Sequence, residues 1–255
     1  MLYKRKEEFS LSNRYPRILP SGDCAVLVEF SDSISETANR KIRAFYDNIQ
    51  KEKIKGIFDL VPAFCSLLVS YDPRIITYQS LRIQLEKCLS MTGTVDLKQK
   101  KIVAIPVCYE GEFAPDLAFV AEHAGLSTEE VIQIHTSKEY LIYMLGFQPG
   151  FPYLGGLDER IFTPRLSTQR TLIRAGSVGI GGEQTGLYPL ASPGGWQLIG
   201  TTPVKAYNPN KTPSIPYEAG DYIRFYPITK ERFAEIEKEE EQGIYEFQVE
   251  IVDIM

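Results

Sequence analysis

The sequence predicts a two-part chain: an α+β N-terminal unit with ferredoxin-like strand and helix order, then a mainly-β unit built as a barrel or sandwich. Three observations predict it. Residues 18–109 alternate apolar strand-like runs with segments of helical periodicity, in the order strand, helix, strand, strand, helix, strand, which is a split βαβ pattern. Twelve of the 19 glycines fall between 146 and 200, where helical periodicity vanishes. Short apolar runs between turn residues fill that stretch, and GDYIRFYPI (220–228) alternates as a strand does.

Element by element, residues 1–15 are polar and form an arm. ILPSGDCAVLVEF (18–30) is a Ser-Gly-Asp turn followed by a strand. Ile34, Ala38, Ile42, Phe45 and Ile49 recur at helical spacing, so 34–50 is an amphipathic helix. IFDLVPAFCSLLVSYDP (57–73) is two strands joined at Pro62, and Tyr78, Leu81, Leu85 and Cys88 mark a second helix. KIVAIPVCY (101–109) supplies the last strand of this pattern, which places the domain end near 105. The expected domains are therefore 16–105 and 106–255. In the second, Pro115 and Asp116 open a helix that Gly125 ends. Ser127 and Glu130 have capping-box spacing and open another helix, up to about His135. LIYML, TLIRA, SVGIG and WQLIG are short strands, 229–242 is a charged helix, and YEFQVEIV (245–252) is one more strand.

The bulk numbers exclude some classes. The chain has 255 residues, 44% hydrophobic and 24% charged, with net charge −5. That is an ordinary globular composition, and a mildly acidic chain lacks the basic face a nucleic-acid binder needs. The runs Lys4-Arg5-Lys6 and Lys98-Gln99-Lys100-Lys101 have no aromatic partners for bases and are solvated segments. Cys24, Cys65, Cys88 and Cys108 form no CxxC and are buried thiols of a reducing compartment. No signal-like or membrane-spanning apolar stretch occurs, so the expected location is the cytoplasm and no membrane partner is expected.

No GxxxxGK[ST] is present, and Gly179-Ile-Gly181-Gly182 does not complete GxGxxG. AGSVG (175–179) falls short of a nucleophile elbow, and both histidines, His123 and His135, precede Ser177. No metal is expected, because no CxxC or HxxxH spacing occurs. His123 is a surface residue; His135, ending a short helix before the glycine-rich stretch, is either an acid/base group or a packing residue. GFQPGFPYLGG (146–156) is a stiffened loop that sets the directions of Phe147, Phe151 and Tyr153. It is either a core plug between two layers or an aromatic wall of a pocket or docking surface. SPGGW (192–196) is a second rigid cluster with the sole tryptophan. Between the two lie Arg165, Arg170, Arg174, Glu183, Gln184, Thr185 and Tyr188, a set suited to a small acidic substrate.

GEFAPDLAFVAEHAGLS, then IHTSKEYLIYMLGFQPGFPYLGGL, TPR, and AGSVGIGGEQTGLYPLASPGGWQLIGTTP together resemble the family of allophanate hydrolase subunit 1, the B subunit of 5-oxoprolinase and the KipI sporulation-kinase inhibitor. The resemblance runs from about Leu19 to Ile228. It implies a ferredoxin-like domain followed by a cyclophilin-like barrel, related to the carboxyltransferase part of urea carboxylase. It implies one subunit of a bacterial ATP-dependent 5-oxoprolinase, which opens the lactam of 5-oxoproline to L-glutamate. The implied partners are a KipA-type protein, the C component of that enzyme, and a LamB/YcsF-type protein, its A component. ATP is used by the complex, and whether this chain touches it stays open. The alternative is a KipI-like inhibitor docking on a sensor histidine kinase; a third is a scaffold half that only supports a catalytic partner.

Residue by residue, the resemblance makes His135 an acid/base or orienting group, and Gln184 and Thr185 hydrogen-bond donors to a carbonyl or oxyanion. It makes Arg165 and Arg170 anion binders. Phe147, Pro149, Gly150, Phe151, Tyr153, Tyr188, Pro193, Gly194, Gly195 and Trp196 complete the expected substrate-binding set. Three positions depart from the family pattern: Arg174 stands for a usual proline, Thr201 for a usual Arg or Lys, and Gly181-Gly182 for Ala-Gly.

Overall fold

The structure, a computed structural model, describes residues 15–91 and 99–253. Apart from Tyr15, the expected arm lies outside the described residues, as do Lys4-Arg5-Lys6 and Lys98. The chain divides into two units, residues 1–95 and 96–255.

The first unit runs β1 (Arg17–Pro20), β2 (Ala25–Glu29), α1 (Glu36–Glu52), β3 (Ile57–Pro62), β4 (Ser66–Tyr71) and α2 (Tyr78–Ser90). Ser35 starts α1 by accepting the Ala38 N–H, and Thr77 starts α2 by accepting that of Ser80. The helical spacing read in the sequence puts Ile42, Phe45 and Ile49 of α1, and Leu81, Leu85 and Cys88 of α2, onto one core with Val26, Val28, Leu67 and Val69 of the sheet. The sheet is antiparallel in the order β1-β2-β4-β3.

The expected ferredoxin-like order needs correction here. It called on the strand after α2 to fill the sheet edge beside β2. That edge is held by β1, paired from Arg17↔Glu29 to Pro20↔Val26. The strand after α2, β5 (Gln99–Cys108), belongs to the second unit. The boundary therefore falls at 95/96 and not near 105. A local apolar pattern specifies a strand but not the sheet that receives it.

The second unit continues with α3 (Leu117–Ala124), α4 (Thr128–Thr136), β6 (Glu139–Leu145), β7 (Pro152–Gly155), β8 (Arg170–Ile173), β9 (Ser177–Gly181), β10 (Gln184–Leu187), β11 (Ser192–Gly194), β12 (Gln197–Thr201), β13 (Tyr222–Ile228), α5 (Lys230–Glu241) and β14 (Gln248–Asp253). Seven of its strands close a barrel in the order β12-β9-β10-β7-β6-β13-β5, with β5 meeting β12 again at Thr201↔Cys108. β5 is the closing strand. One of its edges pairs in parallel with β13, from Tyr222↔Ile102 to Ile228↔Cys108. Its other edge takes β14 along residues 99–104 and β12 at its end. Closure removes the open edges that a sheet of this size would expose.

Val103, Ile105 and Val107 of β5 alternate into the barrel core, where they meet Ile142, Leu154, Val178, Ile180, Leu187, Ile199, Ile223 and Phe225. Helices α3 and α4 pack Val120, Ala121, Val131 and Ile134 onto the same core. The capping box read at Ser127 and Glu130 is present in full at the start of α4. β8 and β11 form a separate two-stranded ribbon. Of the four thiols, Cys88 and Cys108 are buried, whereas Cys24 is exposed and Cys65 half-buried, because the latter two sit beyond strand ends. Among the described residues no helix is long and apolar enough to cross a membrane.

Candidate functional site

The wall formed by β9 and β10 has two faces, and the expected site residues are divided between them. Along β10, Thr185 lies opposite Ile180 of β9 and Leu154 of β7, both of which belong to the barrel core. Thr185 therefore points inward, and Gln184 and Gly186 point outward.

On the inner face Thr185 meets His135, at the end of α4. His135 Nε2 is 2.8 Å from Thr185 Oγ1, and His135 Nδ1 is 2.8 Å from the Tyr109 hydroxyl. Thr185 Oγ1 donates its single proton to the Gly179 carbonyl at 3.1 Å. It must then accept from the imidazole, so Nε2 carries the ring proton, and the bare Nδ1 accepts from Tyr109 O–H. The chain of donors runs Tyr109, His135, Thr185, Gly179, with every proton placed. The ring stacks on Phe225 at 4.8 Å and 18°, and Tyr140 O–H donates to the His135 carbonyl at 2.7 Å. His135 is fully buried, and burial lowers its pKa from 6.5 to about 3. Burial also pushes the Tyr109 phenol well above its ordinary range.

This geometry corrects the expected catalytic roles of His135 and Thr185. The imidazole's Nε2 proton is engaged by Thr185, and the Thr185 hydroxyl gives its own proton to the Gly179 carbonyl, so neither group faces the outer surface of the wall. Both side chains are fully buried in the barrel core.

The outer face carries the aromatic residues. A Cβ at Gly181 would lie 2.5 Å from Trp196 Nε1, and one at Gly186 would lie 3.2 Å from Trp196 Cζ3. The two glycines are thus the seat on which the indole lies flat against the barrel wall. Phe151, Tyr188, Ile173 and Leu198 cover the indole in a small second core, with Tyr153 packed beside it. Phe151 is the hub, meeting Tyr188 at 5.4 Å, Trp196 at 5.8 Å, Tyr153 at 5.1 Å and Phe147 at 5.5 Å. Burial raises the Tyr188 phenol to about 12. The stiff loop and SPGGW do come together, and Phe151, Tyr188 and Trp196 are all buried there. Gly150 and Gly195 are buried beside them, and Pro149 and Pro193 are exposed. Phe147 differs: its backbone is left-handed at φ 61°, and its side chain is 65% exposed.

The arginines divide as well. Arg170 Nη2 donates to both Asp116 oxygens, at 2.7 and 2.9 Å, and Nη1 donates to the Trp196 carbonyl at 3.2 Å. Asp116 also accepts the Leu198 N–H at 2.6 Å. Arg170 is therefore a clamp between α3, the ribbon and β12; its expected role as an anion binder is corrected because a carboxylate of this chain already fills its fork. Asp116 is the residue that sequence reasoning missed. It stands before α3 like a cap, yet its side chain makes no cap hydrogen bond. Arg165 is exposed, with its guanidinium carbon 5.7 Å from the Trp196 ring centroid. Pro164 accepts from the Gln197 amide, and Thr163 bridges Gly182, so the 163–166 segment runs past the corner where Gln184 begins β10. On this outer face Arg165 lies over the Trp196 ring, Tyr153 packs beside the small aromatic core and Gln184 points outward; His135 and Thr185 lie behind the wall.

A family model described as carboxyltransferase domain, subdomain C and D, matches residues 16–217. The chain belongs to this family. Similar proteins include the B subunit of 5-oxoprolinase from Bacillus subtilis strain 168, 44% identical over 222 residues that cover 83% of this chain and 92% of that one. The B subunit of 5-oxoprolinase from Escherichia coli O157:H7 is 38% identical, over 81% of this chain and 93% of its own length. The crystal structure of Kluyveromyces lactis urea carboxylase shares the fold with TM-score 0.77 and 23% identity, over 92% of this chain and 24% of that one.

Proposed function

We propose that this chain is the B subunit of an ATP-dependent 5-oxoprolinase that opens 5-oxoproline to L-glutamate, working with a KipA-type protein and a LamB/YcsF-type protein in the cytoplasm. The observation that carries the reading is the identity of 38–44% to B subunits of 5-oxoprolinase over nearly the whole length of those relatives. The outer corner supports it chemically. 5-Oxoproline offers one carboxylate and one lactam carbonyl. Arg165 is a cation with no ion-pair partner among the described residues, and is placed to take the carboxylate. The Gln184 amide, half-exposed at the start of β10, is a donor for the lactam oxygen. Tyr153, half-buried beside the small aromatic core, flanks the ring, with the barrel in the cyclophilin-like role that the family resemblance implies.

The chain supplies a positioning surface, and catalysis needs its partners. The described residues include no group of three or more His, Cys, Asp or Glu placed to hold a metal ion. Arg170 is paired with Asp116 and so offers no free guanidinium to a triphosphate. ATP use is assigned to the complex.

The test is co-expression with the two partner proteins and measurement of ATP-dependent glutamate release. Arg165→Ala is expected to raise the KM for 5-oxoproline about tenfold or more, as loss of a charged contact does. Wild-type turnover in that variant removes the carboxylate assignment. An assembly that never turns over 5-oxoproline, from a chain that instead blocks a sensor histidine kinase, replaces this reading with the inhibitor one.

A further inference from the structure

We infer that the outer face of the β8–β11 ribbon, with the Phe147 tip beside it, is a docking surface for the acidic face of a protein partner. Ile173 of β8 turns inward to the small aromatic core, so its neighbour Leu172 turns outward, and it is 65% exposed. The pairings Ser192↔Ile173 and Gly194↔Arg170 leave Leu172 level with the exposed Pro193 on β11. Leu190, just before β11, is 37% exposed. Neither leucine contributes to the core beneath, so the fold itself gives no reason for apolar side chains there.

The charge at this face has one sign. From Arg160 to Gly182 the sequence holds four arginines and no Asp or Glu, in a chain whose net charge is −5. Arg160 pairs with Asp158 and Arg170 with Asp116. Arg165 and Arg174 are exposed and have no ion-pair partner among the described residues. Arg174, directly after β8, borders the apolar strip, which gives an apolar centre with an arginine at its rim, the composition of a protein interface. Free arginines select a carboxylate-rich counterface. Aliphatic Leu172 and Leu190 do not stack bases, which favours a protein over a nucleic acid.

Phe147 adds an independent observation. A left-handed backbone at a non-glycine residue is strained and persists only where its surroundings hold it. The loop holds it there with three backbone hydrogen bonds: Gln148 N–H to Gly146 at 2.6 Å, Phe151 N–H to Gln148 at 3.0 Å and Gly146 N–H to Phe151 at 3.2 Å. The ring stands edge-on to Phe151, in the same small core as Ile173, and projects from it. An aromatic anchor that is already ordered loses little freedom on binding.

The identity of the partner rests on the function proposed above, so the KipA-type protein is the probe. Its affinity for the full-length chain is measured by biolayer interferometry at low and high salt. Leu172→Asp is expected to weaken binding about tenfold or more with an unchanged melting temperature. Arg174→Glu is expected to slow association and flatten its salt dependence, and Glu237→Lys on α5 is expected to change neither. If wild type binds and both ribbon variants bind equally well, the surface is wrong and the proposed function stands. If wild type does not bind, the proposed function fails and takes this surface with it. A labelled oligonucleotide that binds wild type and not Arg174→Glu, with the affinity for the KipA-type protein unchanged, also overturns the proposal.

Discussion

At the scale of single residues, His135 shows what burial does to a side chain that chemistry alone makes attractive. Its imidazole titrates near 6.5 when unfolded and near 3 inside the barrel. Below about pH 6.5 the unfolded chain binds a proton that the folded chain refuses. The contribution of this group to stability is therefore whole above pH 6.5 and falls as the pH drops toward 3, by about 1.4 kcal/mol per unit. Urea midpoints at pH 7, 6 and 5 should fall more steeply in wild type than in His135→Gln, because the carboxylates titrate in both. Equal slopes would show that the imidazole is not desolvated. The histidine was legible in the sequence as a special position, but its partner was not. Thr185 is 50 residues away, and only the inward alternation of β10 brings its hydroxyl to the ring. Arg170 was misread for the same reason, since its counter-ion Asp116 lies 54 residues upstream and looks locally like a helix cap.

Elements were far more legible than partners. Helical periodicity located α1 and α2, the capping box located α4, and alternation located β13, each within a few residues of where it lies. These signals are local, and each reports a face that needs burying. The glycines between 146 and 200 announced β-structure but not their individual uses. Gly181 is the clearest case: a Cβ there would lie 2.5, 2.6 and 2.7 Å from three atoms of the Trp196 indole, a rigid group pinned by Phe151 and Tyr188. Gly181→Val, which adds a branched side chain beyond the Cβ, is expected to cost about 1–3 kcal/mol and to lift the indole off the β9–β10 wall. Trp196 is the only tryptophan, so its fluorescence reports the event directly. A red-shifted emission with greater quencher access is expected. An unshifted spectrum at wild-type stability would mean that the indole does not lie on this glycine seat.

For the whole molecule, the informative misreading is the strand KIVAIPVCY. Its pattern is apolar throughout, as a strand buried on both sides requires, but pattern carries no information about which sheet will receive it. The deciding partner is β13, more than a hundred residues later, in a parallel register that only the closed ring fixes. This has a consequence for where the chain can be cut. The two cores share no residues: one draws on Val26 to Cys88, the other on Val103 to Tyr245. A fragment of residues 96–255 keeps all seven barrel strands and is expected to unfold in one cooperative transition. A fragment of 106–255 loses most of β5. It removes Val103 and Ile105 from the core, at about 1.5–3 kcal/mol each, together with the β14 pairing and most of the β13 pairing. Against a total stability of about 5–15 kcal/mol, that loss opens the barrel. Circular dichroism melts of the two fragments therefore decide between boundaries: a cooperative melt for 106–255 would return this strand to the first unit, and one confined to 96–255 would fix it as the stave that closes the second.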